Sequence, residues 1–375
     1  MTKILFVSNT ANFQKFNRPF MEWCTSQGWQ VDYCSPDDEI VTECNRHYVI
    51  EIPRKPFSKD VFACIKELRK ILIVNKYDII HCHTPMGAAV ARLAARKLFK
   101  KGKVKIIYTA HGFHFFKGAG LLPWLVYFPV EKILSNYTNV IITINHEDYI
   151  TAKKYLNSKN LIEYMNGVGV DFEKFYPLHS QDDKLELRRR YKINEDSFVL
   201  LYTAEFIARK NHKFLFDSFD KIKTKIPRIK LILAGKGELL EYFKNESKLH
   251  GFENEIIFTG YTQNVSDYCR LSDCLISSSL QEGLPISMIE AIATGLPVVC
   301  SKIRGHVDVI SEGENGFLFD IGDTDKMVNS IVRLYESKSL RDTIKNNNIK
   351  HSEQYGVKLA VNKMANIYNL IENKK

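Results

Sequence analysis

The chain has 375 residues, 45% of them hydrophobic and 26% charged, with a formal net charge of +10. Such a composition excludes a disordered or fibrous chain, and the length suits two cores of ordinary size rather than one. No run of about 18 apolar residues occurs, and MTKILFVSNT turns polar after its few apolar positions, so neither a membrane span nor a secretion leader is expected.

The eight cysteines are scattered without a C-x-x-C pair, which fits reduced thiols in a cytosolic compartment rather than a disulfide framework or a zinc site. Positive charge is unevenly spread: residues 1–175 hold 24 Lys and Arg against 16 Asp and Glu, and residues 176–375 hold 29 against 27. A basic half suits nucleic acid, an anionic membrane surface or an acidic substrate. No nucleic-acid-reading motif accompanies the charge, so nucleic acid is not an expected partner.

Along the chain, short apolar runs alternate with longer amphipathic ones. KILFVSN (3–9) reads as a strand, FNRPFMEWCTSQG (16–28) as a helix ending at Gly28, and WQVDYCS (29–35) as a strand. DIIHCHT (78–84), KIIYTAHG (105–112) and NVIITIN (139–145) continue the strands, with AAVARLAARKLF (88–99) as a crossover helix. On such a strand His81 and His83 share a face, but the sequence locates no third ligand, so no metal is expected. LLPWLVYFPVEK (121–132) is too short to span a bilayer. It is either a buried helix or an interfacial one, with Trp124, Tyr127 and Phe128 at the membrane surface.

A turn-rich segment at 166–178 reads as a linker. A second cycle of strands follows: FVLLYTA (198–204), KLILAG (230–235), EIIFTG (255–260), CLISSS (274–279) and PVVCS (297–301). The expected architecture is therefore α/β, with two Rossmann-like doubly wound domains facing across a cleft, residues 1–172 and 173–358. Ligands of open parallel sheets bind beyond the carboxyl ends of the strands. There the sequence places His111-Gly112, Ala204-Glu205, Gly235-Lys236-Gly237, Gly260-Tyr261 and Glu282-Gly283. Gly235-Lys236-Gly237 lacks the spacing and the following Ser or Thr of a Walker loop.

In QEGLPISMIEAIATGLPVV (281–299), Glu282 and Glu290 lie eight positions apart. On one helix that step turns about 800°, leaving the carboxylates roughly 80° apart around the axis and more than two turns apart along it. Gly283 and Pro285 instead put Glu282 in a loop and start a helix near Pro285 or Ser287. A helix start attracts an anion such as a diphosphate, and flanking carboxylates suit the uncharged hydroxyls of a nucleotide sugar. The alternative is an amphipathic helix with Ile289, Ile292 and Ala293 inward and two solvated glutamates.

Over nearly its whole length the chain resembles retaining glycosyltransferases of the GT-B fold, family 4. The match is carried by Glu282-x7-Glu290 in SLQEGLPISMIEAIATGLPVVCS, by Gly305 and by EGENGFLF (312–319). YTAHGFHFF (108–116) and ITINHEDY (142–149) are similar to the subgroup that builds bacterial capsule and exopolysaccharide units on a lipid carrier.

The resemblance implies that Glu290 holds the ribose and Glu282 the donor sugar. It further implies that main-chain groups around Gly283, Leu284, Ile286 and Ser287 meet the diphosphate together with Lys210, and that His111 faces the donor sugar. Gly260-Tyr261 corresponds to the region of the base, and Asn9, Thr10 and His114 lie on the acceptor side. Two positions depart from the family. Glu205 stands where an arginine is usual, five residues before Lys210, leaving Arg209 as its substitute, and Ser8-Asn9-Thr10-Ala11-Asn12 replaces a paired-glycine loop. The closing helix, 359–375, is expected to pack back on the first domain.

The reaction implied is metal-independent transfer of an N-acetylated hexose, with retention, from a UDP-sugar to a polyprenyl-diphosphate-linked saccharide. The expected location is the cytoplasmic face of the cell membrane, with no cofactor. A nucleotide-sugar epimerase and a non-catalytic sugar-nucleotide or glycan-binding protein are the rivals.

Overall fold

The computed structural model describes residues 1–10, 13–36, 41–53, 58–157 and 159–372. The chain separates into two compact units, Met1–Gly169 with Val357–Lys375, and Val170–Gly356. In the first unit β1 (Lys3–Val7), β2 (Gln30–Ser35), β3 (Arg46–Val49), β4 (Ile79–His83), β5 (Lys105–Ala110), β6 (Val140–Thr143) and β7 (Leu161–Tyr164) form one parallel sheet in the order β3-β2-β1-β4-β5-β6-β7. In the second, β8 (Phe198–Thr203), β9 (Ile229–Ala234), β10 (Ile256–Gly260), β11 (Cys274–Ser277), β12 (Val298–Ser301) and β13 (Gly316–Phe319) form a parallel sheet in the order β10-β9-β8-β11-β12-β13. Each sheet winds outward in both directions from its first strand. The switch points lie between β1 and β4 and between β8 and β11, where loops diverge and leave room for a ligand. These are the two Rossmann-like units that the strand and helix alternation predicts.

Both faces of each sheet are covered, which is why central strands are apolar at every position instead of alternating. Ile4, Leu5, Phe6 and Val7 are all fully buried. One face of the first sheet meets the helix Asp60–Asn75 through Cys64, Leu68 and Leu72, and the helix Pro85–Lys100 through its alanines. On the other face Tyr368 of the carboxyl-terminal helix Val357–Glu372 stacks on Trp23 at 5.7 Å and reaches His81 Nδ1 at 2.7 Å. His81 Nε2 meets Thr109 Oγ1 at 2.8 Å. With both ring nitrogens engaged and burial pushing its pKa down to about 3, His81 is a neutral structural group. Among the described residues no three His, Cys, Asp or Glu side chains gather into a metal site. All eight cysteines are free thiols, and all but Cys44 are buried.

The stretch 121–132 lies in the helix Leu121–Ser135, which is neither wholly buried nor turned outward by its aromatic side chains. Trp124, Tyr127 and Phe128 sit at i, i+3 and i+4, so they share the face that packs on the core. Its exposed large apolar groups are Leu121 (82%), Leu122 (70%), Leu125 (72%), Val130 (44%) and Ile133 (60%). No helix among the described residues is long and apolar enough to cross a membrane.

Gly235 and Gly237 have a structural reason. A Cβ on Gly235 would lie 1.9 Å from Ala204 O, and one on Gly237 2.5 Å from Phe206 O. Glycine lets the loop after β9 press against residues 204–206, and Phe206 N donates to Lys236 O at 2.9 Å. That contact sets the start of the loop that carries Arg209 and Lys210.

Candidate active site

Two loops meet at the carboxyl ends of β8 and β11. The first ends in a single turn, Ala208–Lys210, closed by Asn211 in the left-handed region at φ 53°. Tyr202 Oη donates to Lys210 O at 2.6 Å, Ser278 Oγ donates to Asn211 O at 2.8 Å, and Leu280 N donates to Arg209 O at 2.9 Å. These bonds strap the cationic loop to residues 278–282. The helix Ile286–Ala293 then starts just where Gly283 and Pro285 suggest, with Pro285 as its cap and no side chain bonded to its first amides. Lys210, Glu282, Pro285 and Ser287 line one small pocket there.

Glu282 is the electrostatic centre of this arrangement. Its side chain is 9% exposed and its Oε1 is ion-paired with Lys210 Nζ, while Arg209 Nη1 lies 3.3 Å from Oε2 and donates to Gln281 O at 2.8 Å. Burial opposes ionisation of Glu282, but Lys210, through charge and hydrogen bond, with a smaller contribution from Arg209, outweighs it and holds the carboxyl below its ordinary range. Arg209, 41% exposed, is screened by solvent and contributes less than Lys210. Glu205 is exposed. Arg209 is thus the second cation at this carboxylate.

The loop after β12 holds Glu282 from behind, which the sequence did not reveal. Arg304 Nε donates to Glu282 O at 3.1 Å. Gly305, at φ +82°, approaches so closely that a Cβ would lie 2.6 Å from Gly283 O. His306 Nδ1 lies 2.8 Å from Ser301 O, which can only accept, so Nδ1 carries the proton and Nε2 accepts from Ser277 Oγ at 3.3 Å. Burial pushes the His306 pKa down to about 4, leaving a neutral wall beside the charges. The only sequence signal for this wall is Arg-Gly-His directly after a buried strand.

Glu290 lies in the helix Ile286–Ala293, partly buried, and burial raises its pKa to about 7 against the pull of Lys174. Ile286 and Ser287 are partly exposed at the helix start, and Leu284 is buried beneath them. Gly260, at φ +66°, ends β10, and Tyr261 beside it is 59% exposed under Lys236 Nζ, 5.4 Å from the ring centroid.

The remaining candidates belong to the first unit. His111 follows β5, and its Nε2 lies 3.2 Å from His83 Nδ1, with the ring edge-on to Phe13 at 4.5 Å. Burial pushes its pKa down to about 3, so it presents a neutral imidazole. Asn9, Thr10 and His114 line a single pocket of about 660 Å³. Asn9 N donates to Thr84 Oγ1 at 3.2 Å, and Gly87 gives the clearance, since a Cβ there would lie 2.9 Å from Ser8 Cα. Ala11 and Asn12 of that loop lie outside the described residues. The candidates thus form two groups, Arg209, Lys210, Glu282 and the helix start in one unit, and Asn9, Thr10, His111 and His114 in the other.

Two family profiles match the chain, one described as "Glycosyl transferase 4-like" over residues 3–145 and one as "Glycosyl transferases group 1" over residues 183–351. The "Putative glycosyltransferase EpsD" of Bacillus subtilis (strain 168) is 36% identical over 98% of this chain and 96% of its own. The "UDP-Gal:alpha-D-GlcNAc-diphosphoundecaprenol alpha-1,3-galactosyltransferase" of Escherichia coli is 28% identical over 84% of this chain and 81% of its own. Among solved structures, sucrose-phosphate synthase from Thermosynechococcus elongatus superposes with a TM-score of 0.83 at 16% identity, each chain covered in full.

Removing one partner of the buried pair leaves the other charge uncompensated. Lys210→Ala is expected to destabilise the second unit by about 2 kcal/mol or more at pH 7, and Glu282→Gln on that background to restore most of the loss. The sign with pH follows from the lowered Glu282 pKa. The contribution is present above the unfolded value of 4.5 and is lost as pH falls through the folded one. Denaturant unfolding of the two single variants and the double variant measures this, and strictly additive losses would contradict it.

Proposed function

The chain belongs to the glycosyltransferases of group 1 and family 4, with the GT-B fold, and from that premise we propose that it moves a sugar from a UDP-sugar to a hydroxyl of a lipid-diphosphate-linked saccharide, with retention and without a metal, in capsule or exopolysaccharide synthesis. The observation that carries the reading is the Glu282 carboxylate held between Lys210 and Arg209 at an uncapped helix start. Two cations against one carboxylate leave one net positive charge beside free amides, a setting that suits a diphosphate.

In the proposed step the acceptor oxygen bonds to the anomeric carbon as the carbon–oxygen bond to UDP breaks. The bonding pair leaves with the diphosphate, and a diphosphate oxygen on the same face takes the acceptor proton. Negative charge grows on the leaving group, so Lys210, Arg209 and the helix amides bind the transition state more tightly than the ground state. Glu282 has no role as a nucleophile here. Its charge orients Lys210, and its free lone pairs accept from donor-sugar hydroxyls. Glu290 accepts from the ribose, and Tyr261 and Gly260 border the base. His111, neutral, hydrogen-bonds the donor sugar without adding charge. An N-acetylated hexose is the proposed sugar.

The galactosyltransferase relative is named for a lipid-diphosphate acceptor. An acceptor of that kind presents itself at a membrane surface, and the exposed Leu121, Leu122 and Leu125, flanked by exposed Lys117 and Lys132, form a face that suits peripheral binding to anionic lipid.

Two experiments test this reading. Transfer from a panel of sugar nucleotides to a synthetic lipid-linked acceptor is expected for at least one UDP-sugar, with kcat lowered about 100-fold or more by Glu282→Gln and by Lys210→Met. Full activity in either variant would remove that residue from the site, and conversion of the donor without acceptor would favour an epimerase. In flotation with vesicles containing anionic lipid, the protein is expected to float and Leu121→Asp/Leu125→Asp to remain in solution. Equal behaviour of the two proteins would refute the docking face.

A further inference from the structure

The 660 Å³ pocket of the first unit is larger than the acceptor-side polar residues require. It falls within the roughly 300–1,000 Å³ of pockets that enclose a whole small ligand. Its walls are chiefly apolar, among them Val61, Ile65, Met86, Phe113, Val126 and Val130. They come from the helices Asp60–Asn75, Pro85–Lys100 and Leu121–Ser135 and from the loop after β5.

Glu131 is the acidic group of the lining, and its charge is fully answered. It accepts from Arg92 Nη1 at 2.9 Å and Nη2 at 3.1 Å and from Tyr108 Oη at 3.3 Å, with the Arg92 guanidinium 4.2 Å over the Tyr108 ring. A carboxylate so paired presents little unmet polarity to a hydrocarbon.

The lining also has a polar part. Asn9, Thr10, Ser58, Lys59 and Thr84 belong to it, and the helix Pro85–Lys100 begins there with no side-chain cap. One cation, hydroxyls, an amide and a helix start suit an anionic head group. The elements that line the pocket also carry exposed apolar groups. Phe62, a lining residue, is 78% exposed, and the helix that supplies Val126 and Val130 also carries the exposed Leu121, Leu122 and Leu125. The occupant therefore has a hydrocarbon part, an anionic part, and a continuation into an apolar phase.

We propose that this pocket binds the prenyl chain next to the diphosphate of the lipid carrier, with the diphosphate at Lys59, Asn9 and Thr10 of its lining. The proposal rests on the reading that the acceptor is lipid-linked, and it adds that the enzyme recognises the carrier itself as well as the saccharide. The remainder of the chain stays in the membrane under the leucine face.

The test uses the whole protein and farnesyl diphosphate, with inorganic diphosphate as the head group alone and anionic vesicles as the membrane alone. By calorimetric titration farnesyl diphosphate is expected to bind at least about tenfold more tightly than diphosphate. Ala89→Phe and Val130→Trp, which fill the pocket from two different helices, are each expected to weaken farnesyl diphosphate about tenfold or more, with melting temperature, UDP binding and vesicle flotation unchanged. Equal binding of farnesyl diphosphate and diphosphate would overturn the proposal, as would undiminished binding in both variants. If one variant does not fold, the other decides. The titration involves no sugar transfer, so its failure leaves the transferase reading standing, and absence of transfer alongside intact farnesyl diphosphate binding counts against the transferase reading alone.

Discussion

The Glu282 carboxylate is withdrawn from water, and a charge so placed persists only if the fold brings cations to it. Several contacts of the second unit's loops serve that requirement. Gly235 and Gly237 let the loop after β9 press on residues 204–206, the Tyr202 and Ser278 hydroxyls fix the turn at 208–211, and Arg304 and Gly305 brace the main chain of residues 282 and 283. Each contact alone is ordinary. Together they hold Lys210 beside the start of the helix Ile286–Ala293, so in the proposed reaction the positive field would be in place before the donor binds.

The first unit uses histidine in the opposite way. His81, His83 and His111 run from the sheet centre to the end of β5, and burial drives each of their pKa values down. Their rings pack on one another and on Phe6 and Phe13. The outermost, His111, is thereby a neutral hydrogen-bonding group on a rigid base. The second unit carries fixed charge around Glu282, and the first carries neutral histidines and a largely apolar pocket.

The central strands were legible because burial on both faces makes them apolar runs, and the start of the helix at Ile286 because Gly283 and Pro285 punctuate the chain. β3, β7 and β13 were not legible. Each is four residues long at a sheet edge, and RHYV and LIEY carry the polar groups that edges tolerate. Trp124, Tyr127 and Phe128 suggested an interface by composition, yet their i, i+3, i+4 spacing turns them inward and leaves the leucines outside. The ion pair of Lys210 with Glu282 joins residues 72 positions apart, and no local pattern encodes such a pairing. Arg304 and His306 were invisible for the same reason.

The central claim is that Lys210, kept in place by Glu282, receives the donor diphosphate. A crystal structure with an intact UDP-sugar, or a non-hydrolysable analogue of one, measures it most directly. The account requires the Lys210 ammonium within hydrogen-bonding distance of both a diphosphate oxygen and the Glu282 carboxylate, with sugar hydroxyls on the remaining Glu282 lone pairs. A diphosphate bound elsewhere, with Lys210 and Glu282 still closed on each other and touching no part of the nucleotide, would contradict it.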